Sequence, residues 1–513
     1  MFDELMSLWS IVGCLVVLSP VLAVSAASVL GRDRLDLAVG FIGVVGSVAL
    51  VIRVASHAPI SIIGGGFVVD RVASAWTVFA LVVVLAIRTF SRRLLAGDPE
   101  RQRFHVTSAI AASTGLALFC ASDLAVLAGV AVATSLASAA VVGCRSDGVP
   151  VARRMAMVLL GGDALLAIAV LIIGIQTSMT GPAALAKVDG TGAHLAAVLV
   201  VIAALVRCAQ VPFHGWLPRT LVAPTPASAL LHAGLVNAGG VILIRFAPLV
   251  ARSLLATTLG IMLATLGVVV GAAVMRTRAE VKSGLVWSTT AQMGFMLVQV
   301  LVGIGPAAAV HLIAHGSYKS NLFLMSGSTI EHEPEPHPPI TLTNHLAASV
   351  VAIAAAAGAV AITGYHLGAY GGAASLVPAF AALTLQSVLA GRMGMQRRAA
   401  FSTIGLVCGL TVGLVAYLAL IIGFESWFQL PAAIPQGARA LTLGVVSAAL
   451  VGSAVSSGSR LVPGRLALVI QAHVLAIGRR AVLQAAALDR KRLAARAQPA
   501  STDHADAKLT GAS

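Results

Sequence analysis

Charge is scarce in this chain. Lysine, arginine, aspartate and glutamate make up only 10% of its 513 residues, and 19 of those residues are acidic. With 58% hydrophobic residues beside them, a soluble protein of this size is excluded, because no core hides that much apolar surface from water. Cysteine is sparse as well. Cys14, Cys120, Cys144, Cys208 and Cys408 are scattered without paired spacing. That argues against an iron–sulfur cluster, a zinc site or a disulfide framework within the chain. No glycine-rich phosphate loop follows a strand pattern, and Gly64-Gly65-Gly66 reads as a turn ahead of a span. Nucleotide-driven pumping by the chain itself is therefore not expected.

What the chain does have is long apolar runs. Mean hydropathy is +0.96, and runs near the length of a bilayer recur from Leu8–Leu30 to Leu441–Gly458. They number about 14–15, which predicts an all-α polytopic membrane protein. The first run is read as a span, not a cleaved signal, since Asp3 and Glu4 precede it and no lysine or arginine does.

A net charge of +15 suggests nucleic acid only until its location is considered. The basic residues cluster between spans, at Arg32 and Arg34, Arg88–Arg103, Arg145–Arg154, Arg276–Lys282, Arg392–Arg398 and Arg479–Arg496. With fifteen spans, nearly all of these loops fall on one side of the membrane. The positive-inside rule makes that side cytoplasmic, with the N-terminus outside and the C-terminus inside. The expected non-protein partner is membrane lipid, and nucleic acid is not expected.

Residues 1–460 read as one transmembrane domain with no soluble insertion. The longest loops are Ser56–Val69 and Gln176–Gly192. Residues 461–496 read as an amphipathic, basic segment at the membrane surface. The tail, 497–513, has the composition of a disordered segment.

Ionisable residues inside the apolar runs are the functional candidates, because a charge in hydrocarbon is costly. Arg207 begins the segment Arg207-Cys208-Ala209-Gln210-Val211-Pro212-Phe213-His214-Gly215-Trp216-Leu217-Pro218. Its two prolines break a helix at membrane depth. Arginine keeps its proton at any relevant pH, so Arg207 sets a field and carries nothing. His232 follows at the start of the next helix, where Gly234, Gly239 and Gly240 read as packing surface. The sharpest pattern is His311, His315 and Lys319, whose steps of four place all three on one helical face. Imidazole exchanges protons near neutrality, and a desolvated lysine can be brought toward the same range. A lone histidine in a membrane is explained by a hydrogen bond to a neighbouring helix, whereas three groups on one face point to a proton relay. Lys282 opens the preceding span and is either a pathway group or a snorkelling lysine. Asp163 lies about ten residues into its segment and needs a partner, for which a nearby arginine is suited. Asp70 and Asp123 lie near span ends and read as interfacial.

The runs AQVPFHGWLPRTLVAPTPASALLHAG, EVKSGLVWSTTAQMGFML and HLIAHGSYKSNLFLMSGS resemble the antiporter-like subunits of respiratory complex I (subunit L) and of Mrp-type cation/proton antiporters. PFHGWLP, HAGLVNAGGVILIRFAPL and AHGSYKSNLFLMSGS are most similar to the DabB branch of that family, the membrane subunits of DAB-type inorganic-carbon transporters. The resemblance extends over about residues 66–330. It implies two inverted five-helix repeats, each with a discontinuous helix, and a buried line of lysines and histidines joined by water. By position, Arg207 takes the place of the broken-helix lysine, His232 of the next helix's histidine, and His311, His315 and Lys319 of the central relay. Asp163 matches an aspartate of the first repeat.

The departures are informative. Leu124–Gly143 holds no acidic residue where the respiratory subunit has a key glutamate, and His345–Thr363 offers only His345 where a second broken-helix lysine is expected. No long lateral helix is expected after the last span. These departures fit the carbon-transporter branch. The resemblance therefore implies a proton- or cation-conducting subunit that is not itself an enzyme and binds no cofactor or metal. Its partner would be a large soluble DabA-like subunit carrying zinc and resembling a β-carbonic anhydrase. The alternative is a proton-pumping subunit of an NADH:quinone oxidoreductase, a hydrogenase or an Mrp-type antiporter. A structural anchor for a cytoplasmic enzyme is the third reading.

Overall fold

The computed structural model describes residues 2–30, 33–278, 280–326, 342–366 and 400–428, with five further residues between 377 and 444. The chain enters with α1 (Phe2–Leu30) and α2 (Asp33–Ser56). A two-stranded hairpin follows, β1 (Ile60–Ile62) against β2 (Phe67–Val69). Then come α3 (Arg71–Leu94), α4 (Arg101–Cys120), α5 (Leu124–Val142), α6 (Val149–Thr177), the short α7 (Ala184–Lys187) and α8 (Gly190–Arg207). Next are α9 (Thr225–Ala233), α10 (Ala238–Arg245), the single turn α11 (Ala247–Val250), α12 (Leu254–Arg276), α13 (Val281–Leu301) and α14 (Gly305–Met325). Two further long helices are α15 (Leu342–Thr363) and α16 (Ala400–Phe428). The segments 461–496 and 497–513 lie outside the described residues, as does the side chain of His345.

Helices dominate because hydrocarbon offers backbone N–H and C=O groups no partner but each other. Among the described residues, nine helices are long and apolar enough to cross a membrane. Three more of 20 to 21 residues, α4, α13 and α14, have the length but carry more polar side chains. The protein is thus a multi-pass, predominantly helical membrane protein. Its small hairpin fills the predicted 56–69 loop and turns on Gly64 and Gly65, both at positive φ (63° and 88°), where glycine has no Cβ to clash.

Helix starts are fixed locally. Asp70 caps α3 by accepting from Ala73 N at 2.7 Å, and Asp123 caps α5 through Ala125 N and Val126 N. Both aspartates also bond further away, Asp70 to Arg245 at 2.7 Å and Asp123 to the Thr180 hydroxyl, so they are structural caps that also tie distant segments together. Prolines 150, 226 and 306 occupy first-turn positions of α6, α9 and α14, where the missing N–H costs nothing.

Burial sorts the helices into centre and rim. In Thr225–Arg245, 89% of the most apolar stretch is buried, against 22% for Arg34–Ser56 and 11% for Val407–Trp427. Helices α9 and α10 are therefore the axis of the bundle, with α3, α8, α13 and α14 packed around them. Close approach there depends on glycine. A Cβ on Gly316 of α14 would fall within 2.5 Å of the Ala233 carbonyl oxygen and against the Phe79 ring. Gly316→Ala is expected to cost about 1–3 kcal/mol of stability, seen as a lower thermal midpoint in detergent. An unchanged midpoint would mean that α14 and α9 have room to move apart.

One basic residue departs from the loop pattern. Arg88, grouped by sequence with the Arg88–Arg103 surface cluster, is 2% exposed. It pairs with Asp36 of α2 at 2.5 Å and donates to the His105 carbonyl of α4. The side chain clamps three helices instead of marking a loop.

Candidate functional site

The break after α8 is built from its own sequence. Arg207 is the last helical residue, Ala209 adopts positive φ (50°), and Pro212 follows a cis peptide bond with no N–H to offer. Short 3-10 turns, Phe213–Trp216 and Pro218–Val222, then carry the chain to α9. Carbonyls freed by the break must be satisfied inside the bilayer. Trp216 Nε1 donates to the Val206 carbonyl at 3.1 Å. Gln210 Nε2 donates to the Cys208 carbonyl at 2.7 Å and to the Thr290 carbonyl of α13 at 3.0 Å. Gln210 therefore holds the break open and ties it to α13. Its side chain fits because Gly267 and Gly294 leave space for it. The sequence reading missed this residue, although an amide beside a helix-breaking proline was the available signal.

Arg207 points into the bundle and is 3% exposed. Nε and Nη2 donate to Asp163 Oδ1 of α6 at 3.0 and 2.7 Å. Nη2 also donates to Ser135 Oγ of α5 at 2.9 Å and to the Ala131 carbonyl one turn earlier. Asp163 is itself 1% exposed, so this is an ion pair shut away from water, with partners drawn from α5, α6 and α8. Nothing in the sequence around Ser135 marks it out.

The second cluster lies on α14. His311, His315 and Lys319 are 8%, 6% and 1% exposed, and the two imidazole centroids are 6.0 Å apart. Lys319 Nζ donates to the Leu285 carbonyl of α13 at 2.7 Å. Half-buried Lys282, one turn earlier on α13, donates to the Ala223 carbonyl at 3.2 Å, at the end of the broken segment. It therefore reaches inward to the bundle. His232 of α9 is fully buried and stacks on Phe323 of α14, with centroids 4.6 Å apart and planes 14° from parallel. It lies close enough to Lys319 and Lys282 to feel both charges, and His315 is similarly close to His232. Neither ring nitrogen of His232 or His315 bonds to protein. Buried polar atoms of this kind are commonly served by water.

The structure thus brings His232, Lys282, His311, His315 and Lys319 together and sets Asp163 with Arg207 apart from them. Helix α10 stands between the two groups. A Cβ on Gly239 would lie 3.1 Å from Arg207 Cβ, and one on Gly240 would meet Met296 and, at 3.5 Å, Leu312 of the histidine helix. The glycines of this segment are packing surface, and they let α10 lie close to Arg207 on one side and to Met296 and Leu312 on the other.

A helical bundle with a helix broken at a buried ion pair, beside a row of buried histidines and a lysine, is a multi-pass membrane protein that keeps ionisable groups inside its spanning region. The family described as NADH:quinone oxidoreductase/Mrp antiporter, TM, matches residues 133–391, half of the chain. The chain belongs to that family.

Within it, the chain is similar to the probable inorganic carbon transporter subunit DabB of Hydrogenovibrio crunogenus, 49% identical over 138 residues covering 27% of each chain. It is 34% identical over 285 residues to the DabB of Bacillus subtilis, covering 52% of this chain and 55% of that one. The match spans about half the length of these curated relatives or less. The fold is also that of a chain of respiratory complex I from Thermus thermophilus, with a TM-score of 0.56 and 20% identity over 85% of this chain and 99% of the other.

Proposed function

We propose that this chain is the proton- or cation-conducting membrane subunit of an energy-coupled inorganic-carbon uptake complex. The observation that carries this reading is the buried row His311–His315–Lys319 facing His232 at the centre of an antiporter-family bundle. Each group is within one helical turn or one helix–helix contact of the next, so a proton can pass between them with water as the bridge. The DabB names of the relatives support inorganic carbon as the coupled substrate. The chemistry, hydration of CO2 to bicarbonate, would lie in a large soluble partner that holds zinc, with no cofactor in this chain. The basic loops support a bacterial inner membrane placement with the N-terminus outside and the C-terminus in the cytoplasm.

The test is affinity purification of the tagged chain with whatever co-purifies, followed by metal analysis, joined to uptake of labelled bicarbonate with and without a protonophore. A single large zinc-bearing partner and uptake that collapses with the protonophore are expected. Flavin- or iron–sulfur-bearing partners would overturn this reading in favour of a redox-driven complex. Uptake indifferent both to the protonophore and to removal of sodium would leave the chain as an anchor only.

A further inference from the structure

Three oxygen atoms converge on one nitrogen of Arg207. Nη2 lies 2.7 Å from Asp163 Oδ1 and 2.9 Å from Ser135 Oγ, and it donates to the Ala131 carbonyl as well. A guanidinium nitrogen carries two hydrogens, so three acceptors exceed what its N–H bonds serve one by one. Each contributor is buried: Ala131 and Ser135 fully, Asp163 to 1% exposure. A fourth oxygen, Asp163 Oδ2, is buried in the same place and bonds to nothing in the protein. One carboxylate, one hydroxyl and one backbone carbonyl aimed at a point form the hard-oxygen donor set that binds small cations. A single carboxylate balances a single positive charge, which favours a monovalent ion over a divalent one.

We propose that the oxygens of Asp163, Ser135 and Ala131 form a monovalent-cation site whose occupant is tethered. The Arg207 guanidinium sits where a sodium ion would otherwise bind and keeps this side of the bundle closed to sodium. Because arginine does not give up its proton, the plug is permanent at any physiological pH. A lysine at the same position would differ, since its single ammonium can deprotonate and withdraw. The broken helix, pinned to α13 by Gln210 and to α6 by the ion pair, holds the guanidinium in register. Arg207 is then a specificity-determining residue, and the histidine–lysine row is left to conduct protons. The idea rests on the ion-conducting reading of this chain, but its test measures binding and not transport.

Arg207→Ala is purified in detergent with its partner chain, and equilibrium binding of radiolabelled sodium is measured. Stoichiometric binding is expected in R207A, competed by free guanidinium ion, with none in the native protein and none in the double variant R207A/D163N. If R207A does not survive purification, Arg207→Gln removes the charge while keeping most of the volume, and it should also bind sodium. A folded R207A or R207Q that binds no more sodium than the double variant overturns the proposal. So does stoichiometric binding by the native protein, a measurement that needs no variant. Loss of bicarbonate uptake in any variant bears on the ion-conducting reading and leaves the binding result to stand alone.

Discussion

Lys319→Ala is expected to abolish energy-coupled uptake, lowering it on the order of a hundredfold, the loss typical of removing a positioned proton-transfer group, while the complex still assembles. Lys319 is 1% exposed, and its Nζ is held by the Leu285 carbonyl at 2.7 Å, one helical turn from His315 and close to His232. No other side chain on α14 within a turn toward its C-terminus ionises near neutral pH, and Phe323 takes the next position on that face. Truncation therefore interrupts the row. Lys319→Arg separates two explanations. Arginine keeps the positive charge but does not release its proton, so a relay predicts that K319R is as inactive as K319A. A merely electrostatic role predicts that K319R works. Flux would be followed by a pH-sensitive dye in vesicles holding the purified complex, and substantial K319R activity would sink the relay.

Asp163→Ala is expected to destabilise the protein by about 3–5 kcal/mol, because it leaves a guanidinium buried without its counter-charge. The pair is 3% and 1% exposed, so water cannot replace the lost carboxylate. Ser135 and the Ala131 carbonyl still accept from Nη2, but neither carries charge. The double change Asp163→Leu with Arg207→Met removes both charges at similar volume and should recover most of the loss, since a buried pair can often be exchanged for apolar packing at little cost. Thermal unfolding of the native protein, D163A and the double variant in detergent tests both expectations. A D163A midpoint equal to that of the native protein would show that the ion pair does not hold α5, α6 and α8 together.

Much of this molecule was legible before folding was considered, for reasons that can be named. Hydropathy is a local property that sums along the chain, so the runs that became α1, α2, α5, α6 and α12 could be read one at a time. Helical periodicity is equally local, and it placed His311, His315 and Lys319 on one face because four residues span about one turn. Prolines 212 and 218 announced the break after Arg207. Other features were hidden. Arg88 sits in a run of basic residues that otherwise faces a loop, and only the approach of Asp36, 52 residues away, draws it inward. Gln210 and Ser135 are unremarkable by type, and they matter because of what packs beside them.

By itself, then, the sequence determined a multi-pass helical protein, the position of its broken helix and the face on which its titratable groups lie. The tertiary structure alone decided that Arg207 ends on Asp163 and Ser135, residues 44 and 72 positions away in the chain. It also decided that α10 packs through Gly239 against Arg207 and through Gly240 against Met296 and Leu312. The division follows from physics. Span length and helical face are set by short-range forces that repeat along the chain, whereas the partner of a buried charge is chosen by which helices the bundle brings together.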